Sequence, residues 1–379
     1  MTRYEEIDTL RGLAALTVLL SHFMVVFDFN THNTYAMGFA TNWYKYSPLH
    51  IVWAGHEAVL FFFILSGFVL TLPFMKNHSF SYRGYLVKRF FRIYIACIVS
   101  IFAALILKWS VVQNMRTVDS AWMNTMWDED FSISTIINHF LLVGAHSGEI
   151  SPVIWSLVYE MRISIIFPVV VYFVLKYDWK KLLLFALLLS AFCCILSAMF
   201  SNNTLNNLLL TGHYTSIFIV GSILAKHHLT IIEKMRSIKR WQKYVLLIIG
   251  VLVYTCNWLI DPDSFVHNIL IVDWTATIGA SIFMMLSLSS SALSKLLKSK
   301  IPSFFGKISY SLYLYHLTIL MFFIKFDTGL PIALTLPLTF IVSIFVATVS
   351  YQFVEIPSMR AGKIIANRLK EKLSVSKSA

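Results

Sequence analysis

The chain alternates between long apolar runs and short polar segments. Two clear examples are residues 182–200 and 244–260, each close to the ~20 residues with which an α-helix crosses a ~30 Å hydrocarbon layer. The pattern predicts an all-α integral membrane protein, a bundle of about ten transmembrane helices. The predicted spans are about 10–29, 52–75, 90–109, 152–175, 182–200, 208–226, 244–260, 267–289, 304–324 and 331–353.

Two segments outside these spans complete the predicted organisation. Residues 133–145 are apolar but too short to cross a membrane, so we expect a re-entrant or interfacial segment there. The basic C-terminal residues predict a cytoplasmic helix or a frayed end. We therefore divide the chain into a transmembrane domain, residues 1–357, and a basic cytoplasmic tail, residues 358–379.

Composition supports the membrane interpretation. Hydrophobic residues make up 58% of the chain and charged residues 13%, against roughly 45–50% and about 25% in soluble domains. The apolar spans contain all four cysteines, which predicts small buried side chains instead of a disulfide framework or a metal site.

The distribution of charge predicts the topology. The chain has 31 Lys and Arg against 19 Asp and Glu. With a cytoplasmic N-terminus, almost all the basic residues fall on the inner side, the positive-inside pattern of a protein with both termini in the cytoplasm. Membrane lipid, and not nucleic acid, is then the expected partner of the basic surface. Only four basic residues fall on the outer side: Lys45, Lys108, Arg116 and Lys325.

Ionisable residues inside the spans are the candidates for chemistry. Each costs at least ~2.5–3.5 kcal/mol on the insertion scale, so it needs a partner, a water-filled cavity or a function. The residues selected on this ground are His22, Glu57, Glu160, Arg162 and His316, with Arg11, Arg89 and Arg92 at cytoplasmic helix ends.

The first span carries Arg11 and His22 with ten residues between them. Eleven steps of ~100° bring the two side chains to within about 20° of one helix face, with a rise of about 16 Å. His22 would then lie near mid-membrane and Arg11 at the inner surface. The alternative is an anchoring arginine and a packed histidine.

Four of these groups are predicted to lie at a similar depth in the membrane. At ~1.5 Å per residue, His22, Glu57, Glu160 and His316 all fall roughly 18–23 Å above the inner edge of the membrane. This predicts one shared layer of groups that exchange protons. The alternative is local pairing for helix packing, of Glu57 with His56 or of Glu160 with Arg162.

Arg89 and Arg92 lie three residues apart in a basic segment that also contains Lys88. Arginine forks suit phosphate groups, which predicts a site for a polyphosphate cofactor. The alternative is attraction of anionic lipid, which any basic cytoplasmic loop provides.

Five motifs in order resemble the membrane-bound acyltransferase 3 family. They extend across the chain from about residue 4 to residue 357. They are IDTLRGLAALTVLLSHF (7–23), GHEAVLFFFILSGFVL (55–70), KRFFRIY (88–94), WSLVYEMRISIIFP (155–168) and GKISYSLYLYHL (306–317).

The resemblance implies a ten-helix enzyme of the bacterial inner (plasma) membrane. It implies transfer of an acyl group, with acetyl expected, from cytoplasmic acyl-CoA to a hydroxyl of a carbohydrate or glycolipid acceptor, such as a surface polysaccharide or its lipid-linked precursor. Some relatives carry a fused esterase-like (SGNH) domain. We expect none here, so the membrane domain would act alone or with a separate partner.

Roles follow for the candidate residues. We expect His22 to be the catalytic base or nucleophile, because a histidine oriented by a carboxylate is a natural general base. Glu57 or Glu160 would orient it. The remaining expectations are acyl-CoA binding by Arg11, Arg89, Arg92 and Lys88, and acceptor binding by His316 and Trp155.

Two other functions fit the residues. A proton-coupled exporter of a polysaccharide or lipid-linked sugar also uses membrane histidines and glutamates, and would need no CoA site. A structural subunit of an envelope assembly leaves the alignment of Arg11 and His22 unexplained.

Overall fold

The computed structural model describes most of the chain and is helical throughout. Within the residues it describes there is no β-strand. These residues are 4–27, 46–76, 81–111, 117–127, 130–142, 150–200, 203–260, 268–326 and 329–378.

The described helices follow the predicted apolar runs. Short 3₁₀ turns at Pro48–Val52 and Pro152–Ile154 precede the helices that begin at Gly55 and Trp155. A π-helical turn at Tyr351–Glu355 joins the helix that ends at Ser350 to the one that begins at Ile356. The α-helices are α1 Glu5–Val26, α2 Gly55–Thr71, α3 Tyr82–Ser110, α4 Ala121–Thr125, α5 Ile133–Leu141, α6 Trp155–Lys176, α7 Trp179–Met199, α8 Asn203–Ser237, α9 Arg240–Tyr254, α10 Cys256–Leu259, α11 Ile269–Ser289, α12 Ser291–Leu297, α13 Lys300–Lys325, α14 Ile332–Ser350 and α15 Ile356–Ser378.

The helices confirm an all-α, multi-pass integral membrane protein. Eight helical segments in the described part are long and apolar enough to cross a membrane. The predicted spans 52–75 and 244–260 correspond to the shorter helices α2, with 17 residues, and α9, with 15. The total of ten and the cytoplasmic position of both termini stay predictions.

Local side chains explain where several helices begin. Ser81 Oγ accepts the Gly84 amide at 3.2 Å before α3. Asp178 accepts the Lys180 amide at 2.8 Å before α7. These caps satisfy amides that have no partner within the first turn of a helix.

The third predicted span, beginning near residue 90, lies within a helix that starts about two turns earlier. Helix α3 begins at Tyr82, because the Ser81 cap starts it and two tyrosines dock it on α6. Tyr82 and Tyr85 donate hydrogen bonds to the carbonyls of Ile165 and Ser164, both at 3.1 Å. The tyrosines therefore hold this basic segment in the helix.

The arginines of α1 and α3 consequently lie inside their helices and not at the ends. Arg89 is seven residues from the first residue of α3, about 10 Å along its axis. Helix α1 begins at Glu5, which places Arg11 about 9 Å along that helix. These helix boundaries correct the prediction that Arg11 and Arg89 lie at the cytoplasmic ends of their helices.

The first of two compact units comprises the described parts of Met1–Lys76 and Val170–Ser309. Glycines allow its helices α2 and α8 to approach closely. A Cβ at Gly67 would collide with the backbone of Phe218, and one at Gly221 with the backbone of Ile64. This is the small-residue packing expected where no water drives helices together.

The second unit comprises the described parts of Asn77–Val169 and Tyr310–Ala379. In it α3 packs against α15, where a Cβ at Gly362 would lie 2.6 Å from Cβ of Phe91. Ser358 Oγ also donates a hydrogen bond to the Phe91 carbonyl. The tail predicted as a basic helix or a frayed end is helical to Ser378. Its treatment as a separate domain stays a prediction.

Candidate functional site

The hydrogen bonding of His22 determines which ring nitrogen can act. Nδ1 lies 2.9 Å from the carbonyl oxygen of Val18, one turn earlier in α1. A carbonyl oxygen only accepts, so Nδ1 carries the hydrogen and donates it. In the neutral ring Nε2 is therefore the nitrogen that takes up a proton or attacks a carbonyl carbon. The side chain is half-buried.

Glu57 lies in the first turn of α2, two residues after a close contact between α1 and α2. A Cβ on Gly55 would collide with the Ser21 hydroxyl, so these two backbones meet next to His22 and two residues before Glu57. Glu57 is 2% exposed and accepts the Trp258 indole N–H at 3.3 Å. Two residues after Gly55, Glu57 points to another side of α2, where Trp258 is its hydrogen-bond partner.

Arg11 also links α1 and α2, nearer the N-terminus of α1 than His22 is. Its Nη2 donates to Ser66 Oγ at 3.0 Å, so the hydroxyl of the small-residue segment of α2 orients the guanidinium. Arg11 is half-buried. It keeps the predicted arrangement, about 16 Å before His22 along one helix.

Glu160 pairs with Arg89 in the second unit. Glu160 Oε1 accepts from Arg89 Nη2 at 2.8 Å, and Arg89 Nε and Nη2 also donate to Ser164 Oγ, at 3.1 and 3.0 Å. The carboxylate takes this partner instead of Arg162, which is only two residues away and faces a different side of the helix. Any phosphate bound by Arg89 would compete with Glu160.

The pair also shows that the predicted depths of Glu160 and Arg89 are not compatible with each other. Two side chains joined at 2.8 Å share one depth, and Arg89 is only two turns into α3. A glutamate at mid-membrane and an arginine at the inner surface are not compatible with this contact.

The other two cations of α3 differ in their surroundings. Arg92 points its Nη1 at Met359 Sδ of α15, 4.0 Å away, and is half-buried. Lys88 is exposed. Their predicted role in binding phosphates stays a prediction.

His316 and Trp155, predicted to bind acceptor, are both in the second unit. His316 is 1% exposed, and its Nδ1 donates to the Leu312 carbonyl at 3.0 Å. Trp155 is half-buried and meets the Tyr159 ring edge-on, with centroids 5.9 Å apart. Their role in acceptor binding stays a prediction.

His139 shows what a purely structural histidine looks like in this chain. Its Nδ1 donates to the Thr135 carbonyl at 2.9 Å, the same one-turn bond as in His22. Its Nε2, however, accepts the Ile150 amide at 3.3 Å. The backbone occupies both nitrogens, so this ring holds α5 to the following segment.

Sequence reasoning missed a buried cluster centred on Asp273. This aspartate is 0% exposed and receives hydrogen bonds from two histidines. His56 Nε2 lies 2.7 Å from one carboxylate oxygen and His213 Nε2 lies 2.9 Å from the other. His56, the local partner considered for Glu57, hydrogen-bonds Asp273 and still interacts electrostatically with Glu57.

The cluster continues through hydroxyl and indole groups. Ser190 Oγ lies 2.7 Å from His213 Nδ1 and accepts the Trp274 indole N–H at 2.9 Å. Among the described side chains no group of three or more His, Cys, Asp or Glu has the arrangement of a metal site. The visible signal was Asp273 and His213 inside apolar runs, where each demands a partner.

Comparison with known proteins identifies the family. The profile of the acyltransferase domain family called Acyl_transf_3 matches residues 4–352, nearly the whole chain. The chain belongs to the acyltransferase 3 family. This acyltransferase 3 protein is therefore a membrane acyltransferase, as the five motifs indicated.

Other comparisons add little about chemistry. The chain is 25% identical over 234 residues to an uncharacterized protein of Haemophilus influenzae, a match covering 56% of this chain and 91% of that protein. No solved structure matches this acyltransferase 3 chain.

Proposed function

We propose that this acyltransferase moves an acyl group, with acetyl expected, from cytoplasmic acyl-CoA to a hydroxyl of a carbohydrate acceptor. The acceptor is a surface polysaccharide or its lipid-linked precursor, and the enzyme works in the bacterial inner membrane. The observation that carries the proposal is His22, whose Nδ1–H is bound to the Val18 carbonyl and whose Nε2 is the proton acceptor.

The reaction needs a base at this position. Nε2 removes the proton of the acceptor hydroxyl as its oxygen attacks the thioester carbonyl. The tetrahedral intermediate expels the CoA thiolate, which takes the proton from the imidazolium. The products are an ester and CoA. In the alternative covalent route, Nε2 attacks the thioester first and the hydroxyl then attacks the acyl-imidazole.

The neighbouring groups supply positioning. Glu57, a buried carboxylate in the first turn of α2, is the group to which we assign stabilisation of the positive charge that develops on the His22 ring. Arg11, oriented by Ser66, attracts the anionic donor from the inner side of the same helix. Glu160 has Arg89 as its counter-ion, so we assign the carboxylate role to Glu57.

The decisive test is acyl transfer by His22→Ala. The variant, reconstituted in lipid nanodiscs, is expected to bind acetyl-CoA like wild type and to lose transfer of labelled acetyl by about 10²–10⁴-fold, the usual contribution of a general base. Mass spectrometry of glycans from cells with and without the protein identifies the acceptor and the acylated position.

His139→Gln is the matched control, because His139 makes the same one-turn bond but uses both nitrogens structurally. It should transfer acetyl at the rate of wild type. Full transfer by His22→Ala contradicts the mechanism. Export of an unmodified polymer that depends on His22, without acetyl-CoA binding, would instead favour the proton-coupled exporter. A trapped acyl-enzyme on His22 would select the covalent route.

A further inference from the structure

A mainly apolar groove lies in the first unit between α8 and α11. Its volume is about 650 Å³, within the ~300–1,000 Å³ range of small-molecule sites. One face of α11, from Trp274 to Met285, contributes to the lining. On α8 the lining follows one helix face, with residues three or four apart: Val220, Leu224, His227, Ile231 and Lys234.

The groove has the length of one lipid leaflet. Val220 and Lys234 lie about 21 Å apart along α8. Half of a bilayer, with its headgroups included, is ~20–22 Å thick. A single lipid can therefore extend along the whole groove.

One end of the groove is formed by the start of α7. Lys226 Nζ donates to the carbonyls of Val174 and Tyr177, at 2.9 and 2.8 Å, and so holds this turn against α8. Trp179, the first residue of α7, lines the groove, and Lys180 Nζ lies 5.7 Å from the centroid of its ring.

The two ends of the groove differ in charge. At the far end Trp274 donates its indole N–H to Ser190 Oγ at 2.9 Å, beside the Asp273 cluster. At the α7 end Lys234 is exposed, and among the described side chains no carboxylate pairs with it. With Lys180 nearby, the α7 end is basic and suits an anionic headgroup.

Two polar side chains in the lining each present an atom with no hydrogen-bond partner in the described part of the chain. Thr277 is 1% exposed, and its Oγ1 is buried without a partner. The Nε2 atom of the half-buried His227 is in the same situation. Burial of such atoms is costly unless a ligand or water completes the hydrogen bond. They therefore favour an occupant that carries oxygen atoms as well as an apolar chain.

We infer that this groove binds one anionic phospholipid of the surrounding bilayer, with its phosphate at Lys234 and an acyl chain between α8 and α11. The apolar lining disfavours a free anion, and the lysines favour an anionic over a neutral headgroup. The ester carbonyls of the lipid can accept a hydrogen bond from Thr277 Oγ1 or His227 Nε2. The inference concerns a bound lipid and does not depend on the proposed acyl transfer.

The first test removes charge at the headgroup. The full chain is taken from nanodiscs of mixed phosphatidylcholine and phosphatidylglycerol, and native mass spectrometry counts the lipids that stay bound. Lys234→Gln should bind phosphatidylglycerol about fivefold more weakly than wild type, the usual effect of one basic residue near an anionic surface. Lys300→Gln is the matched control, because it removes the same charge from an exposed position outside the groove. It should bind phosphatidylglycerol as wild type does.

The second test fills the groove. Ile278 lines it and is 50% exposed, so a tryptophan there takes up groove volume without entering the core. Ile278→Trp should retain one phosphatidylglycerol fewer than wild type. Ile248→Trp is the matched control, because Ile248 of α9 is 58% exposed and outside the lining. It should retain the wild-type number.

Three results would overturn the inference. The first is equal phosphatidylglycerol binding by wild type, Lys234→Gln and Ile278→Trp. The second is equal retention of phosphatidylcholine and phosphatidylglycerol by wild type, which would remove the anionic headgroup. The third is a wild-type dimer that separates in Ile278→Trp, which would assign the groove to a second copy of the chain. Acetyl transfer by His22→Ala is measured separately, so failure of the lipid site leaves the proposed function standing.

Discussion

Two polar regions of the first unit place their histidines in different situations. In the Asp273 cluster, a fully buried carboxylate is shared by His56 and His213, and His213 continues to Ser190. On α1, His22 is half-buried and its Nδ1 is bound by a carbonyl of its own helix. The first region uses both nitrogens of His213 to hold helices together. In the second, the bond to the Val18 carbonyl fixes the tautomer of the neutral His22 ring.

The comparison teaches what the burial of a carboxylate requires. A buried charge without partners is costly, so the Asp273 cluster is saturated with hydrogen bonds and ties α2, α8 and α11 together. A catalytic group must remain within reach of substrate. Mutations in the first region should therefore change stability, and mutations around the second should change catalysis or donor binding.

The largest effect on stability is expected for Asp273→Ala. Removing the carboxylate leaves His56 and His213 without their shared acceptor and should destabilise the protein by about 3–5 kcal/mol. Thermal unfolding in nanodiscs and the yield of folded protein measure the loss.

Asp130→Ala is the matched control, because this aspartate is 98% exposed and pairs with Lys108 at 3.2 Å. Its removal should cost about 0–1 kcal/mol, as exposed ion pairs do. Equal unfolding temperatures for the two variants would show that the Asp273 cluster does not stabilise the fold.

A smaller effect is expected for Gly12→Ala. A Cβ at this position would collide with the backbone at Phe305 and Gly306, so α1 must shift and carry Arg11 and His22 with it. Overpacking of this kind costs about 1–3 kcal/mol. The rate of acetyl transfer should fall by more than the loss of folded protein accounts for. Transfer kinetics and thermal unfolding measured on one preparation can show this.

Gly84→Ala serves as its control. A Cβ there would lie 3.4 Å from Ser81 Oγ, an ordinary contact, and alanine favours a helix by up to ~1 kcal/mol over glycine. Stability should be unchanged or slightly higher. If Gly12→Ala behaved in the same way, the position of α1 would not depend on this glycine.

The smallest effect is expected for Ser66→Ala, which removes the hydroxyl that orients Arg11. The loss of one hydrogen bond costs about 1 kcal/mol. The KM for acetyl-CoA should rise several-fold while kcat stays near wild type, because the proposed function assigns Arg11 to the donor and not to the reacting atoms.

Ser287→Ala is the corresponding control, since Ser287 donates only to the Phe283 carbonyl of its own helix, at 2.7 Å. Its KM should match wild type. A fall in kcat without a change in KM for Ser66→Ala would place Arg11 near the chemistry and not at the donor.

The sequence by itself determined the membrane character, the family motifs and the geometry within single helices. Apolar runs near the length of a span predict helices because backbone groups in lipid must be satisfied internally. The alignment of Arg11 with His22 followed from helical periodicity alone. Helix α3 extends beyond its predicted span, because capping by Ser81 and docking by Tyr82 and Tyr85 lie outside that periodicity.

Only the tertiary structure decided which polar groups are partners. Glu160 is 71 residues from Arg89, and Asp273 is 217 residues from His56. Nothing in the periodicity of a helix selects a partner at such separation. The choice depends on which helix faces pack together, and a buried carboxylate then takes whichever donor that packing brings within hydrogen-bonding distance.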